Sequence, residues 1–570
     1  MKTFLFFTIL FYSCIVQAQT NYYVSASGGN NANAGTLAKP WGTIQYGLNH
    51  MLAGDTLNVL NGTYTEKLKV PVSGITLRNY TGHAPVIDAN GITSQKAIIE
   101  IVNVSTVRVK GLELKNSIMK DAQGILVDGN CQHISIQNCV LHDIHFSSNA
   151  GAAVNANTNA QGIIVYGSNA TTAMTDINIL NNQLYNCRLG YSEGIAVNGN
   201  VDGFVISGNL VHDLTNIGID IIGHEGTSSN AANDQARNGI ATYNIVHHCV
   251  SAYATSAGLY IDGGNNIIVE HNTSYHNGYG IEVGCENKGK TTDGIIIRDN
   301  VFYDNEICAI ALGGFDYPAG SGKVINSSIR NNTCYYNDYS KSGTGELYLS
   351  YSENSVIENN IFYLSTQNRL VYAELTQPSL AFNYNIFYCV AGAASFFADW
   401  NGKSYSSFSS FVTGSATNAN ASFANPLFVS AGITNSDFHI GSTSPAVNAG
   451  NAAFVAASGE TDMDGQGRTS GKVDCGADEY YLITAVVNAV DAGHTFSIYP
   501  NPSVDYCTIV SGTNDIRYII VYDRAGTKIA AYVFEKELQI SVQEYASGLY
   551  YIVGLDEHQL PVCTKTILVK

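Results

Sequence analysis

Gly218-Ile-Asp-Ile-Ile222, Gly258-Leu-Tyr-Ile-Asp262 and Gly280-Ile-Glu-Val-Gly284 repeat one phrase: a glycine, then two aliphatics separated by a variable residue. It starts upstream at Gly124-Ile-Leu-Val-Asp128, Gly162-Ile-Ile-Val-Tyr166 and Gly194-Ile-Ala-Val-Asn198, and fades through Ala309-Ile-Ala-Leu-Gly313 and Glu346-Leu-Tyr-Leu-Ser350. Between the copies runs a second phrase, a β-branched stretch ending at Asn182, Asn209, Asn244, Asn272, Asn300, Asn332 and Asn360. Fixed-period self-similarity is the mark of a repeat architecture. Aliphatics two apart on a strand face one side, and a single coil has nothing to bury them against. Stacking coils about 4.8 Å apart turns them into an interior ladder, the solenoid solution. Asparagines recurring once per coil are expected to satisfy turn backbone groups from coil to coil.

Outward from this centre the composition agrees. Charged residues are 13% of 570, about half the ~25% of ordinary globular domains. Helical bundles and coiled coils are disfavoured, and a net charge of −18 argues against nucleic acid or an anionic membrane as partner. Met1-Lys2-Thr3, the apolar run to Val16 and the exit Gln17-Ala18 read as a secretory signal peptide. No later stretch is apolar enough to span a membrane. Twelve cysteines, one of them Cys14 in the signal, are scattered without a C-x-x-C pair, and most are expected to be small buried hydrophobes.

The region from about Asn21 to Tyr480 resembles right-handed parallel β-helices of the pectin-lyase-like superfamily. The opening Tyr22-Tyr-Val-Ser25 and Lys39-Pro-Trp41-Gly-Thr-Ile44 is similar to the entry of many such secreted proteins, and implies a capping helix over Trp41 to Leu52. Asp462-Met-Asp464-Gly-Gln-Gly-Arg468 is similar to an exit segment of surface β-helix proteins. Asp462 and Asp464 suit either an Asp-Gly turn or a Ca²⁺ ligand set. Farther on, Tyr499-Pro-Asn-Pro502, Gly548-Leu-Tyr550 and the terminal Lys570 resemble the sorting domain of the type IX secretion system. That resemblance implies a bacterium of the Bacteroidota type and an extracellular or outer-membrane-surface location. The expected class is all-β: a right-handed parallel β-helix followed by a small C-terminal β-sandwich. Its expected divisions are 1–20 (signal), 21–100 (cap and first coils), 101–400 (β-helix with a groove), 401–485 (last coils and cap) and 486–570 (sorting sandwich).

Aligning the glycine-led strands gives two outward columns. One reads Leu126, Ile164, Ala196, Asp220, Tyr260, Glu282, Ala311, Tyr348; the other reads Asp128, Tyr166, Asn198, Ile222, Asp262, Gly284, Gly313, Ser350. Acids gather on three successive coils at Asp220, Asp262 and Glu282. Asp262 and Glu282 are diagonal neighbours whose carboxyls can approach to about 5–8 Å, an interval that spans both glycoside-hydrolysis geometries. They are the expected catalytic pair. Insertions bearing His224, Glu225, Arg237, Glu286 and Lys288 follow the same strands. With Asp220 and Tyr260 they are expected to bind substrate, Tyr260 and Tyr348 offering ring faces to sugar. Polysaccharide is therefore the expected partner of a monomeric hydrolase, with Ca²⁺ the one candidate cofactor. Two alternatives stay open: a Ca²⁺-dependent lyase, with Asp220 and Glu282 on the cation and Lys288, Lys290 or Arg237 as base, and a non-catalytic glycan-binding or adhesin solenoid.

Overall fold

The computed structural model describes residues 19–373, 375–432, 436–468, 471–481, 496–512, 515–523, 528–543, 545–556 and 561–569. The signal segment up to residue 18, the proposed junction at 485/486 and Lys570 lie outside them. The chain divides into two compact units, Met1–Tyr480 and Tyr481–Lys570.

The first unit winds through three thirteen-stranded sheets, here called I, II and III in the order each coil visits them. Asp202–Ser207, Leu210–Leu214 and Ile219–Ile222 make one coil, and each strand pairs in parallel with its counterpart in the next. This is a right-handed parallel β-helix. Its interior is the aliphatic ladder read from the repeats: Ile195, Ile219, Leu259, Ile281 and Ile310 are all at 1% exposure or less. The leading glycines have a steric cause. A Cβ on Gly194 would lie 2.7 Å from the Gly218 carbonyl oxygen, and one on Gly218 would lie 2.6 Å from that of Gly258. Only a bare backbone lets the coils close at this corner.

The turn between sheets I and II carries the asparagine ladder. Asn272 donates from Nδ2 to Asn300 Oδ1 at 3.0 Å and to the Ala241 carbonyl at 2.9 Å, and its Oδ1 accepts the backbone N–H of Asn244. The chain of amides continues from Asn182 to Asn385. A second ladder, absent from the sequence reading, runs Asn277–Asn305–Asn337 and ends on the buried carboxyl of Glu346. The outer face of sheet II holds a file of stacked rings, His142, Tyr185, His212, His247, Tyr275 and Tyr303, with centroids 4.7–5.3 Å apart. All eleven cysteines from Cys131 to Cys563 are buried and unbridged, as expected of small hydrophobes.

Two details depart from expectation. The entry helix covers only Ile44–Leu48, because Trp41 is engaged as extended chain with Tyr23 and Ser25. At the far end the helix Phe408–Ser415 covers the last coil with Phe411, and the chain then turns back along the outside of the solenoid. This returning strap is tied to coil after coil. Glu460 bridges Arg298 (2.8 Å) and Arg330 (2.9 Å), Arg468 faces Asp299 (3.4 Å), and Asn331 donates to the Asp474 carbonyl (3.0 Å). Asp462 serves as a turn-former. Its Oδ1 accepts the N–H groups of Asp464 and Gln466, and its Oδ2 that of Glu479.

The second unit is a small antiparallel β-sandwich. One sheet holds Phe496–Tyr499, Tyr506–Ser511 and Glu537–Ser541; the other holds Tyr518–Tyr522, Lys528–Val533, Gly548–Leu555 and Pro561–Val569. Ile509, Ile519, Val521, Phe534, Ile552 and Ile567 fill its core.

Candidate functional site

The acids stand on the outer face of sheet III. Strand pairing sets Ala196 beside Asp220, Asp220 beside Tyr260, Tyr260 beside Glu282 and Glu282 beside Ala311, which is the column read from the repeats. The flanking residues Ile219, Ile221, Leu259, Ile261, Ile281 and Val283 all belong to the interior core, so the column points away from it. Asp262 sits two residues beyond Tyr260 and is therefore diagonal to both Asp220 and Glu282.

These acids are not solvated. Asp220 is 3% exposed and Asp262 4%, while Glu282 is half-buried. Loops that leave sheet III frame them. In the loop from Gly223 to Ala236, the buried Asp234 accepts the N–H groups of Gly226 (2.6 Å) and Ser228 (2.8 Å), and so sets the path of the segment carrying His224 and Glu225. The loop after Gly284 places its Glu286 N–H on Asp262 Oδ1 at 2.8 Å, and Tyr260 Oη donates to Glu286 Oε1 at 3.3 Å. Asn287 bonds Glu225 across the two loops. A Cβ on Gly284 would lie 3.0 Å from the Tyr260 hydroxyl and press on it.

Carboxylates buried together cannot all stay ionised. Burial pushes Glu282 up to about 8, helped by the charge of Glu286. Asp262 is raised well above the usual range by burial and Glu286, with the backbone hydrogen bond from Glu286 pulling the other way. Asp220 is raised by burial and by Glu193, Asp262 and Glu286. Its Oδ1 is buried without a hydrogen-bond partner. Such an atom is costly unless a proton, a ligand or a cation meets it.

Glu193 was missed. It precedes Gly194 and belongs to a third outward column, Gln123, Gln161, Glu193, Ile217, Ala257, Tyr279 and Cys308, one residue ahead of each glycine position. Reading the residue before the glycine as well as those after it finds this acid. Burial pushes it up to about 8, against the hydrogen bond from Gln161.

Other expected residues are placed differently. Arg237 is not at the site: it pairs with Asp202 at 3.0 Å and donates to Asn200, because the chain has already entered sheet I at that point. Tyr260 offers no ring face to sugar, being 5% exposed and packed among Ala257, Tyr279, Cys308 and Ala311; only its hydroxyl serves the site. Tyr348 stacks on Tyr372 farther along the column. His224 is half-buried, with Nε2 near the Thr291 carbonyl (3.3 Å) and Nδ1 unpartnered. Lys288 and Lys290 are exposed on the loop after Gly284. The pair named for a cation, Asp220 and Glu282, lies two coils apart with Tyr260 between them. The three acids whose oxygens lie within 4.8 Å of one another are Glu225, Asp262 and Glu286. An all-oxygen set of this kind fits a hard divalent cation such as Ca²⁺.

Comparison with known proteins gives a family and a tail. Residues 497–570 match the family described as secretion system C-terminal sorting domain. The protein of Bacillus subtilis (strain 168) named "Uncharacterized protein YwoF" is 33% identical over 429 residues, covering 72% of this chain and 88% of that protein. Solved structures similar to the chain include GH136 lacto-N-biosidase from Eubacterium ramulus, with 15% identity, 65% of this chain and 64% of that one covered, and TM-score 0.40. A Yersinia enterocolitica Family 28 exopolygalacturonase matches at 10% identity over 68% and 79% of the two chains, TM-score 0.43. PfbA, a surface adhesin of Streptococcus pneumoniae, matches at 12% identity over 64% and 89%, TM-score 0.42.

Proposed function

The chain belongs to the family of Bacillus subtilis YwoF, and from that premise we propose that it is an exported carbohydrate-active enzyme that hydrolyses glycosidic bonds of a polysaccharide. A likeness of 429 residues is too long for the 74-residue tail match to hold, so the common activity is sought in the solenoid. The observation that carries the reading is the set of acids on consecutive coils of sheet III, turned outward, buried or half-buried, and without a cationic partner among the described residues. Glu282, pushed up to about 8, holds a proton at neutral pH and would donate it to the glycosidic oxygen. Asp262, which burial and Glu286 hold above the usual carboxylate range against the hydrogen bond from the Glu286 N–H, would act as nucleophile or base once its proton has passed to solvent or a neighbouring acid. Asp220, Glu193 and His224 would position the sugar. The signal segment and the type IX sorting tail would carry the protein to the cell surface or beyond.

A second reading has its own observation. Glu225, Asp262 and Glu286 would hold Ca²⁺ against a uronate, and Lys288 or Lys290 would take the C5 proton in β-elimination. A glycan panel assayed with and without chelator separates the two. Hydrolysis gives new reducing ends with no unsaturated chromophore and survives chelation. A chelator-sensitive ultraviolet product identifies a lyase. Silence across a broad panel returns the chain to a non-catalytic glycan-binding solenoid.

A further inference from the structure

Sheet I turns a different face to solvent in the first coils. In Val107–Lys110 the two valines are fully buried, and Arg108 and Lys110 stand outward. Register places Arg78 beside Lys110, and Thr76 beside Arg108. On the next coils Ser135 follows Arg108, Gln137 follows Lys110, and Asn178 follows Ser135. Together they line a trough of about 490 Å³.

Its charge is anomalous for a chain of net charge −18. Among the described residues, none of Arg78, Arg108 and Lys110 forms an ion pair; Arg78 uses Nε on Asn58 Oδ1 at 2.9 Å. The one acid lining the trough, Asp176, is taken by His133 at 2.8 Å. Adjacent coils stand about 4.8 Å apart, and outward residues on one strand about 6.5–7 Å apart. Arg108 and Lys110 thus share one strand and Arg78 stands beside Lys110 on the preceding coil, among hydroxyl and amide side chains that hydrogen-bond to sugar hydroxyls.

We propose that this trough is a second carbohydrate site, separate from the acids of sheet III, that holds an anionic polysaccharide by its carboxylate or sulfate groups. Guanidinium groups bind such oxyanions bidentately. Among the described residues that line the trough there is no Phe, Tyr or Trp on which bases could stack, and Leu180 is the single large apolar side chain, so a charged glycan is the occupant its chemistry fits. The proposal goes beyond the hydrolytic reading and does not depend on it. A polymer held here would dwell on the coils that precede the acidic column.

The test is binding of the full chain, in chelator, to polygalacturonate, chondroitin sulfate, a neutral dextran and duplex DNA at low and high salt. Chelator keeps cation-bridged binding at Glu225, Asp262 and Glu286 from contributing. Expected are binding to one or both anionic glycans that weakens with salt, and loss of about tenfold or more in a triple Arg78→Gln, Arg108→Gln, Lys110→Gln variant of unchanged melting temperature. The carboxylated and sulfated arms say which oxyanion is held. A triple Lys39→Gln, Lys120→Gln, Lys403→Gln variant, an equal change of charge at exposed positions outside the trough, should bind as wild type. Undiminished binding by the triple variant, equal affinity for dextran or DNA, or no glycan binding by the wild type would each overturn it.

Discussion

The backbone N–H of Glu286 donates to Oδ1 of Asp262 at 2.8 Å, so the loop after Gly284 is pinned to the acid it flanks. An amide oxygen can accept that bond equally well. Asp262→Asn should therefore fold like the wild type while removing the charge. The expected loss in turnover is about 10²–10⁴-fold, with an unchanged melting temperature. Glu282→Gln should match it. Full activity in either variant, measured as reducing-end release on a responsive glycan, removes that residue from the mechanism.

The acids also predict a pH slope in stability. Glu193 and Glu282 are each raised to about 8 from 4.5, so the folded state binds more protons than the unfolded chain between those values. Their contribution is complete below pH 4.5 and lost as pH rises through 8. Thermal melts should show Tm falling over that window. Glu282→Gln should flatten the fall and melt a few degrees above wild type at pH 8.

The ring file on sheet II gives the opposite sign. His247 is lowered to about 4 by burial, with the charges of His212, His248 and His276 adding to it and Asp213 opposing. Its neutral form suits the stack between His212 and Tyr275. That stability is complete above pH 6.5 and lost as pH falls through 4. His247→Phe should keep the stacking and blunt acid unfolding, read by circular dichroism between pH 6.5 and 4.

Arg468 is fully buried, donates to the Gly476 (2.7 Å) and Ala477 (3.2 Å) carbonyls, and faces Asp299. Arg468→Met strands these partners and should cost about 3–5 kcal/mol in denaturant unfolding. Adding Asp299→Asn should recover part of the loss. If the single variant is neutral, the strap does not contribute as described.

Register was legible because the repeat itself encodes it. Once glycines and aliphatics are superposed, Asp220, Tyr260 and Glu282 have no freedom to leave one column. What fills the space above the column was not legible, because loops of unequal length have no period to read. Hence the repeats alone present Tyr260 as a ring open to sugar and Arg237 as a site cation, and give Glu193 no prominence. The strap escaped for a related reason. Its partners, such as Glu460 and Arg298, are separated by more than a hundred residues of sequence that carry no sign of their meeting.

A stack of coils ordinarily frays from an open end, one rung releasing after another, since each touches only its neighbours. Here the returning segment is stitched across the rungs from His271 to Tyr384. Peeling it away means shearing many attachments at once rather than opening them in turn. Escape from the native state by this route is therefore slow, and proteases that act on loosened ends find few.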